Sequence, residues 1–187
     1  NFGNILLMTA YITHEGQVSS TQMTDNPTAS KDYKFSFNLS GCACVVGQLG
    51  PGGGFTFWCN GNNGIEASGP DTESANGWGP TYINVSGTSP NIGTGAANTE
   101  AILLSYMWSQ AAKHCADLVW NGYSDWFLPS KDELAQMYQK LKVGQNIGQF
   151  QNAEYWSSTQ FSTVAAWYQD FTNGNQRYQD YQGQYSK

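Results

Sequence analysis

The segment 122–134, GYSDWFLPSKDEL, constrains the fold more than any other part of the chain. Ser130 is suited to the N-cap of a helix, and Glu133 three residues later completes a capping box. Pro129 prevents the helix from starting earlier. Apolar residues then recur at helical spacing, so we predict a helix over about 131–143. The aromatic residues that precede it are too apolar to remain in water, so we expect them to anchor the helix start in the core.

A second helix is predicted upstream of this segment. Thr99 is its expected N-cap, and Gly122 lies just beyond its end. Lys113 and His114 fall on its polar face and are expected to be solvated. Its buried stripe is predicted to consist of Ala101, Leu104, Trp108, Ala111, Ala112, Cys115, Leu118 and Val119.

Short strands are predicted on both sides of these helices. Residues 33–39 alternate between apolar and polar side chains, which is typical of a half-buried strand. The segment 60–98 is rich in Gly, Asn, Ser, Thr and Pro, so we expect a long irregular excursion. Asn173-Gly174 predicts a tight hairpin turn in which both central residues have positive φ. The other predicted strands are 5–14, 42–46, 54–58, 155–159, 165–171 and a return strand through Arg177, Tyr178 and Tyr181.

The composition narrows the classes of partner. The net charge is −6, so the chain as a whole does not favour nucleic acid or an anionic membrane. No apolar run is long enough to span a bilayer, and membrane insertion is not expected. Only 12% of the residues are charged while 14% are aromatic, which predicts a compact, loop-rich fold rather than a disordered chain.

Four cysteines allow either free thiols or disulfides. Cys42 and Cys44 are one residue too close for a zinc knuckle, and the other two stand alone, so zinc is not expected. Disulfides are favoured, and Cys59 could pair with Cys42 or with Cys44 across neighbouring strands. Cys115 is expected to be a small buried apolar residue of the second helix. Disulfides would place the protein in an extracytoplasmic compartment.

The sequence lacks a recognisable set of catalytic residues. His14 and His114 occur in unrelated contexts, and no nucleophile–base arrangement accompanies them. Asp125 and Glu133 are explained by a turn and by helix capping. A calcium site formed by Asp125, Asp170 and Asp180 would lack diagnostic spacing. We therefore expect no enzymatic activity, no metal and no cofactor.

The last third of the chain is rich in tyrosine and amide side chains. The segment 155–185 mixes these rings and amides with few aliphatic side chains, so a surface of flat rings and amides is expected there. Rings stack on the faces of sugars and amides match hydroxyl groups. The same composition suits a protein-binding surface, because tyrosine gives contact area at low entropic cost.

Four motifs together resemble the family formerly called DUF1566, now named for the C-terminal domain of the Legionella collagen-like adhesin. The motifs are GPGGGFTF at 50–57, GYSDWFLPSKDEL at 122–134, YWSS at 155–158 and AWYQDF at 166–171. The similarity covers about residues 45–185. It implies an α+β, C-type lectin-like fold with two helices packed on small antiparallel sheets with long loops. It also implies a domain over 42–187, preceded by a strand and loop extension over 1–41 that could lie at an oligomer axis.

The resemblance further implies a function in attachment. The family's named member displays a trimeric head that binds sulfated glycosaminoglycans. A similar role here implies a secreted or bacterial cell-surface protein, a homotrimer, and sulfated polysaccharide or another host-surface glycan as partner. Because the whole chain is acidic, binding would need a local cluster within a Debye length of about 8 Å. The candidate glycan-binding residues are Lys131, Lys140, Lys142, Arg177, Tyr178 and Lys187.

Two other functions are compatible with a fold of this kind. Some similar domains are the variable proteins of diversity-generating retroelements, whose C-terminal hairpin binds other proteins. The tyrosine- and asparagine-rich tail fits that alternative. An enzyme similar to the sulfatase activators is disfavoured, because the tail lacks the reactive cysteine pair.

Overall fold

A computed structural model describes residues 11–12, 18–19, 44–61, 63–80 and 82–180. The chain divides into two compact units, 1–43 and 44–187. In the first unit, the described residues form β1 (Tyr11–Ile12) and β2 (Val18–Ser19), which pair antiparallel. The predicted strand 33–39 and most of the predicted strand 5–14 lie outside the described residues. The predicted domain boundary after residue 41 stays a prediction.

The second unit contains helices and two small antiparallel sheets. One sheet pairs two strands, and the other has the order β5-β6-β7. This arrangement confirms the predicted α+β class, while the C-type lectin-like part of that prediction stays a prediction. The elements in chain order are β3 (Phe55–Asn60), β4 (Asn63–Ala67), α1 (Gly95–Ser105), α2 (Gln110–Ala116), α3 (Lys131–Met137), β5 (Glu154–Ser162), β6 (Ala165–Asp170) and β7 (Gln176–Asp180).

The predicted capping box at the start of α3 is present. The Ser130 hydroxyl accepts from the Glu133 amide at 3.3 Å, and Glu133 Oε2 accepts from the Ser130 amide at 2.7 Å. The helix continues beyond Met137 as a π-helical turn, Tyr138–Lys142. The predicted helix over 131–143 is therefore confirmed to within a residue, with a wider last turn than expected.

Glu133 also connects α3 to the start of α1. Its side chain is fully buried, and Oε1 accepts from the Gly93 amide at 2.7 Å and the Gly95 amide at 3.4 Å. A Cβ at Gly95 would collide with Glu133 Oε2 and with the Phe127 ring, so this close approach needs glycine. The carboxylate thus pairs amides from two separate parts of the chain.

The prediction of one long second helix is wrong. The chain leaves helical geometry at Tyr106 (φ −155°, ψ 95°) and begins again as α2. Thr94, not Thr99, precedes the first of the two helices. Ser109 is buried between them and donates to the Trp78 carbonyl oxygen, which fixes the break. As a result, three residues of the predicted buried stripe are exposed: Leu104 (82%), Trp108 (63%) and Val119 (70%).

Three strand and turn predictions also need correction. Residues 63–67 form β4, although 60–98 was expected to be irregular. Residues 44–46 are not a strand, and 42–43 lie outside the described part. Only Gly174 of the predicted Asn173-Gly174 turn has positive φ (81°). The loop between β6 and β7 spans 171–175, because the Asp170 carboxylate holds the Thr172 amide at 2.8 Å and the Asn173 side-chain amide at 2.6 Å.

Two apolar clusters form the core of the second unit. Trp78, Ile102 and Trp156 belong to the first, and Phe57, Leu134 and Phe171 to the second. A disulfide joins Cys44 to Cys59, which decides between the two pairings left open by the sequence. Cys115 is a free thiol packed against the first cluster, and burial raises its pKa to about 12.

Replacing Glu133 by alanine should destabilise the domain strongly. The substitution leaves the amides of Gly93, Gly95 and Ser130 without their acceptor, and we expect a loss of about 3 kcal/mol or more in the free energy of unfolding. Urea denaturation measures this loss. Asp132→Ala, in the same helical turn, is the matched control and should cost less than about 1 kcal/mol. Equal losses in the two variants would contradict the connecting role of Glu133.

Candidate functional site

Trp167 and Tyr178 lie side by side on one face of the three-stranded sheet. They are directly opposite each other in the β6–β7 pairing, and their rings meet edge to face at 5.7 Å between centroids. Side chains alternate between the two faces of a strand, so the neighbouring Arg177 lies on the opposite face. Tyr178 is 55% exposed, and this face therefore presents an aromatic side chain to solvent.

Phe161 completes the aromatic surface through a β-bulge. Gln160 pairs with Ala166 and Ser162 with Ala165, so Phe161 is the extra residue of β5. A bulge changes the direction of a side chain. The Phe161 ring stacks on Tyr178 at 3.8 Å with an interplanar angle of 8°, and it meets Trp167 at 5.5 Å and 89°. We call Phe161, Trp167 and Tyr178 the aromatic patch.

Lys131 places a positive charge beside the aromatic patch. Its Nζ lies 4.8 Å from the centroid of the Trp167 ring, within the range of a cation–π contact. The Lys131 amide donates to Thr159 Oγ1 at 3.0 Å, and its carbonyl accepts from Gln176 Nε2 at 2.7 Å. The backbone of Lys131 is thus held by β5 and β7, so the start of α3 and the sheet position the ammonium group together.

Arg177 belongs to a different environment. It lies opposite Tyr168, which is buried against Trp156. Burial raises the pKa of the Asp170 carboxyl, but hydrogen bonds from Thr172 and Asn173 and the charge of Arg177 outweigh it, and the pKa lies below its ordinary value. Because side chains alternate along a strand, the predicted residues Arg177 and Tyr178 lie on opposite faces of β7.

Among the described residues, the predicted cations Lys140 and Lys142 belong to the π-helical turn after α3 rather than to the aromatic patch. Lys140 is exposed in the π-helical turn. The Lys142 ammonium donates to the Phe150 carbonyl at 2.6 Å, which ties it to the loop before β5. Lys187 lies outside the described residues. Of the six predicted glycan-binding residues, the structure brings together Lys131 and Tyr178.

Phe161 and Trp167 are the site residues absent from the predicted glycan-binding set. The alternation of β6 and the hairpin motif could have placed Trp167 beside Tyr178. Phe161 belongs to the segment 155–185 that was predicted to present rings, but no sequence signal places it beside Tyr178, because a bulge depends on how β5 pairs with β6.

Asp125 and His114 are not part of the aromatic patch. Asp125 is exposed, and His114 Nε2 lies 2.8 Å from the Thr72 carbonyl oxygen. Within the described ranges, no group of three or more His, Cys, Asp or Glu side chains is placed to hold a metal ion. Among the same residues, no helix has the length and apolar character needed to cross a membrane.

The described part of the second unit is thus an α+β domain that displays rings and a lysine on a small antiparallel sheet. The model of the Lcl C-terminal domain family matches residues 75–186, more than half of the chain, and the protein belongs to that family. Membership indicates a C-terminal domain of the collagen-like adhesin type in an extracellular or surface protein. Neither the curated proteins nor the solved structures include a significant match.

The loop between β6 and β7 should depend on pH in the acidic range. The folded-state pKa of Asp170 is lowered, so its carboxylate contributes stability above its unfolded pKa of about 4 and loses that contribution as pH falls through the lower folded value. The Asp170→Asn variant should therefore be less stable than the parent at pH 6, and the difference should shrink below pH of about 4. Urea denaturation across this range measures it.

Asp180→Asn provides the control for the pH experiment. Asp180 is exposed at the end of β7, and its replacement removes the same charge. The stability of this variant relative to the parent should change less with pH. A constant difference between Asp170→Asn and the parent from pH 6 to pH 2 would contradict the role assigned to Asp170.

Proposed function

We propose that this domain is the non-enzymatic ligand-binding head of a collagen-like bacterial surface adhesin and that it binds sulfated glycosaminoglycans. The binding face is the aromatic patch together with Lys131. The observation that carries the proposal is the exposed Phe161–Tyr178 stack with a lysine ammonium beside the adjoining Trp167 ring. A sugar ring packs on such a stack through its C–H face, while an ammonium attracts a sulfate group.

Local charge supports this assignment in an acidic protein. The net charge of the chain is −6, so a sulfated polymer is repelled at long range. Charges farther away than a Debye length of about 8 Å are largely screened at physiological salt, so the nearest cations determine the attraction of a bound sulfate group. Asp132 Oδ1 lies 4.0 Å from Lys131 Nζ and weakens its field. The proposal therefore implies modest affinity that falls with added salt.

Heparin binding tests the proposed face. Lys131→Gln and Tyr178→Ala should each weaken heparin binding by about tenfold at 50 mM salt, because a good charged or stacking contact contributes about 1–3 kcal/mol. Lys131→Gln should also reduce the slope of log K against log salt by about one unit, since one ionic contact is lost. Titration on immobilised heparin at several salt concentrations measures both quantities.

One lysine variant and one arginine variant provide the controls. Lys113 is exposed on α2 and paired with Asp117 at 2.6 Å, so Lys113→Gln removes the same charge away from the aromatic patch. Arg177→Gln tests the other face of β7. Both should reduce affinity by less than about threefold. If Lys113→Gln and Lys131→Gln weaken binding equally, the attraction is not local and the proposed face is wrong.

We further propose that the head is a homotrimer. Exposed apolar side chains at the end of α1 and in the turn to α2 support association, because Leu104, Met107 and Trp108 are 82%, 63% and 63% exposed. Exposed apolar groups of this kind mark interaction surfaces.

The solution mass tests the trimer. Light scattering on the full chain should give three times the mass of one chain, and Trp108→Glu should shift the population toward monomer. Lys113→Gln, a surface change on α2, should leave the mass unchanged. A monomeric parent protein at micromolar concentration would contradict the proposal.

A protein-binding role is the second candidate. The exposed tyrosine and phenylalanine of the aromatic patch favour it as well, because such rings provide contact area for protein partners. The two roles differ in their response to sulfated sugar. If the domain binds glycosaminoglycans, heparin oligosaccharides should compete with its natural ligand. If it binds a protein, heparin oligosaccharides should have no effect.

A further inference from the structure

A cavity of about 120 Å³ lies beneath the second unit's surface, between the segment 68–76, α2, residues 128–137, Phe150 and β5. It is partly open to solvent, and most of its lining is apolar, including Leu134, Met137, Phe150 and Trp156. The residues of both core clusters contribute to its wall. We call it the Glu73 cavity after the carboxylate in its wall. None of the residues of the aromatic patch lines it.

The two oxygen atoms of Glu73 have different environments. Oε1 accepts from the Tyr155 hydroxyl at 2.5 Å. Oε2 is buried and has no hydrogen-bond partner within the described part of the chain. An unpaired buried acceptor costs about 1–3 kcal/mol, and more when it is charged, so a donor from beyond the described residues would stabilise this oxygen.

Tyr155 cannot supply that second donor. Its single hydroxyl proton is used on Oε1, and its oxygen accepts from the Gln151 amide at 3.0 Å. Burial raises the pKa of Tyr155, and the hydrogen bond and charge of Glu73 raise it further, against a smaller lowering by the Gln151 amide. The hydroxyl therefore stays protonated near neutral pH and remains committed to Oε1.

Three other polar groups of the cavity wall are paired within the protein. The Trp156 indole donates to the Asn76 carbonyl at 3.1 Å, and the Thr72 hydroxyl donates to the Gly69 carbonyl at 2.7 Å. His114 Nε2 is occupied by the Thr72 carbonyl oxygen at 2.8 Å. The wall thus combines one unpaired carboxylate oxygen with the polar side chains of Ser74 and Asn76 and an apolar, partly aromatic surface.

We propose that the Glu73 cavity binds a small organic molecule with a primary ammonium group on a short apolar body. The ammonium donates to Glu73 Oε2, and the aromatic walls favour a cation over a neutral group. The size fits, because an apolar cavity of about 150 Å³ accommodates a benzene molecule. The ligand class follows from the charge and the unpaired oxygen of Glu73, and it is independent of the glycan-binding face.

Butylamine is the probe for this proposal, with butanol and butyrate as matched comparisons of the same length. At pH 7 the amine is protonated, and it should bind the parent protein at least about tenfold more tightly than butanol, while butyrate should not bind. Isothermal titration measures the affinities. Chemical-shift changes at the Met137 methyl group and the Trp156 indole should locate the probe in the cavity.

Glu73→Gln removes the charge and keeps the shape, and it should weaken butylamine binding by at least about tenfold. Asp71→Asn is the control, because Asp71 is exposed in the 3-10 helix Pro70–Thr72, which Glu73 follows directly, and it does not line the cavity. It should leave binding within about twofold. Equal binding by Glu73→Gln and the parent would overturn the proposal.

The comparison of the three probes uses only the parent protein, so it remains informative if Glu73→Gln does not fold. Equal affinities for butylamine and butanol would show that the cavity selects apolar bulk alone and would overturn the ammonium assignment. No binding of butylamine at 50 mM, or shift changes confined to the protein surface, would show that the cavity holds only water and would overturn it as well.

Discussion

The buried carboxylate of Glu133 is the interaction on which the domain depends. It accepts hydrogen bonds from the amides of Ser130, Gly93 and Gly95, which belong to two distant parts of the chain. A buried carboxylate is costly unless such donors surround it. The same group therefore caps α3 and holds the segment that leads into α1, and few alternative arrangements of these two helices would satisfy it.

The position of α3 in turn determines the candidate binding face. Lys131 is the first residue after the N-cap, so the capping box that begins the helix also places this lysine. Thr159 on β5 and Gln176 on β7 bind its backbone, and Trp167 lies under its ammonium group. The surface proposed to bind sulfated sugar is thus an outcome of helix capping and sheet pairing rather than of a flexible loop.

The two proposed sites differ in their physical character. The aromatic patch is an open surface where rings and one lysine face solvent, which suits a long polymer that contacts the protein from outside. The Glu73 cavity is small, mostly apolar and built around one unpaired carboxylate oxygen, which suits a small cation. The two sites have opposite charge, so a ligand of one would be rejected by the other.

The sequence by itself determined the local features. Ser130 and Glu133 specified the start of α3, because a capping box is complete within four residues. The predicted strands 155–159 and 165–171 correspond to β5 and β6, and the four quoted motifs predicted the family.

The tertiary structure alone decided the features that depend on distant contacts. Ser109 interrupts the predicted second helix because its hydroxyl meets the Trp78 carbonyl, 31 residues away in the chain. The disulfide partner of Cys59 depended on which cysteine the folded chain brought beside β3. A bulge in β5 places Phe161 in the aromatic patch. Five separate segments form the wall of the Glu73 cavity. A local pattern cannot encode such contacts, since their free energy arises only when the segments meet.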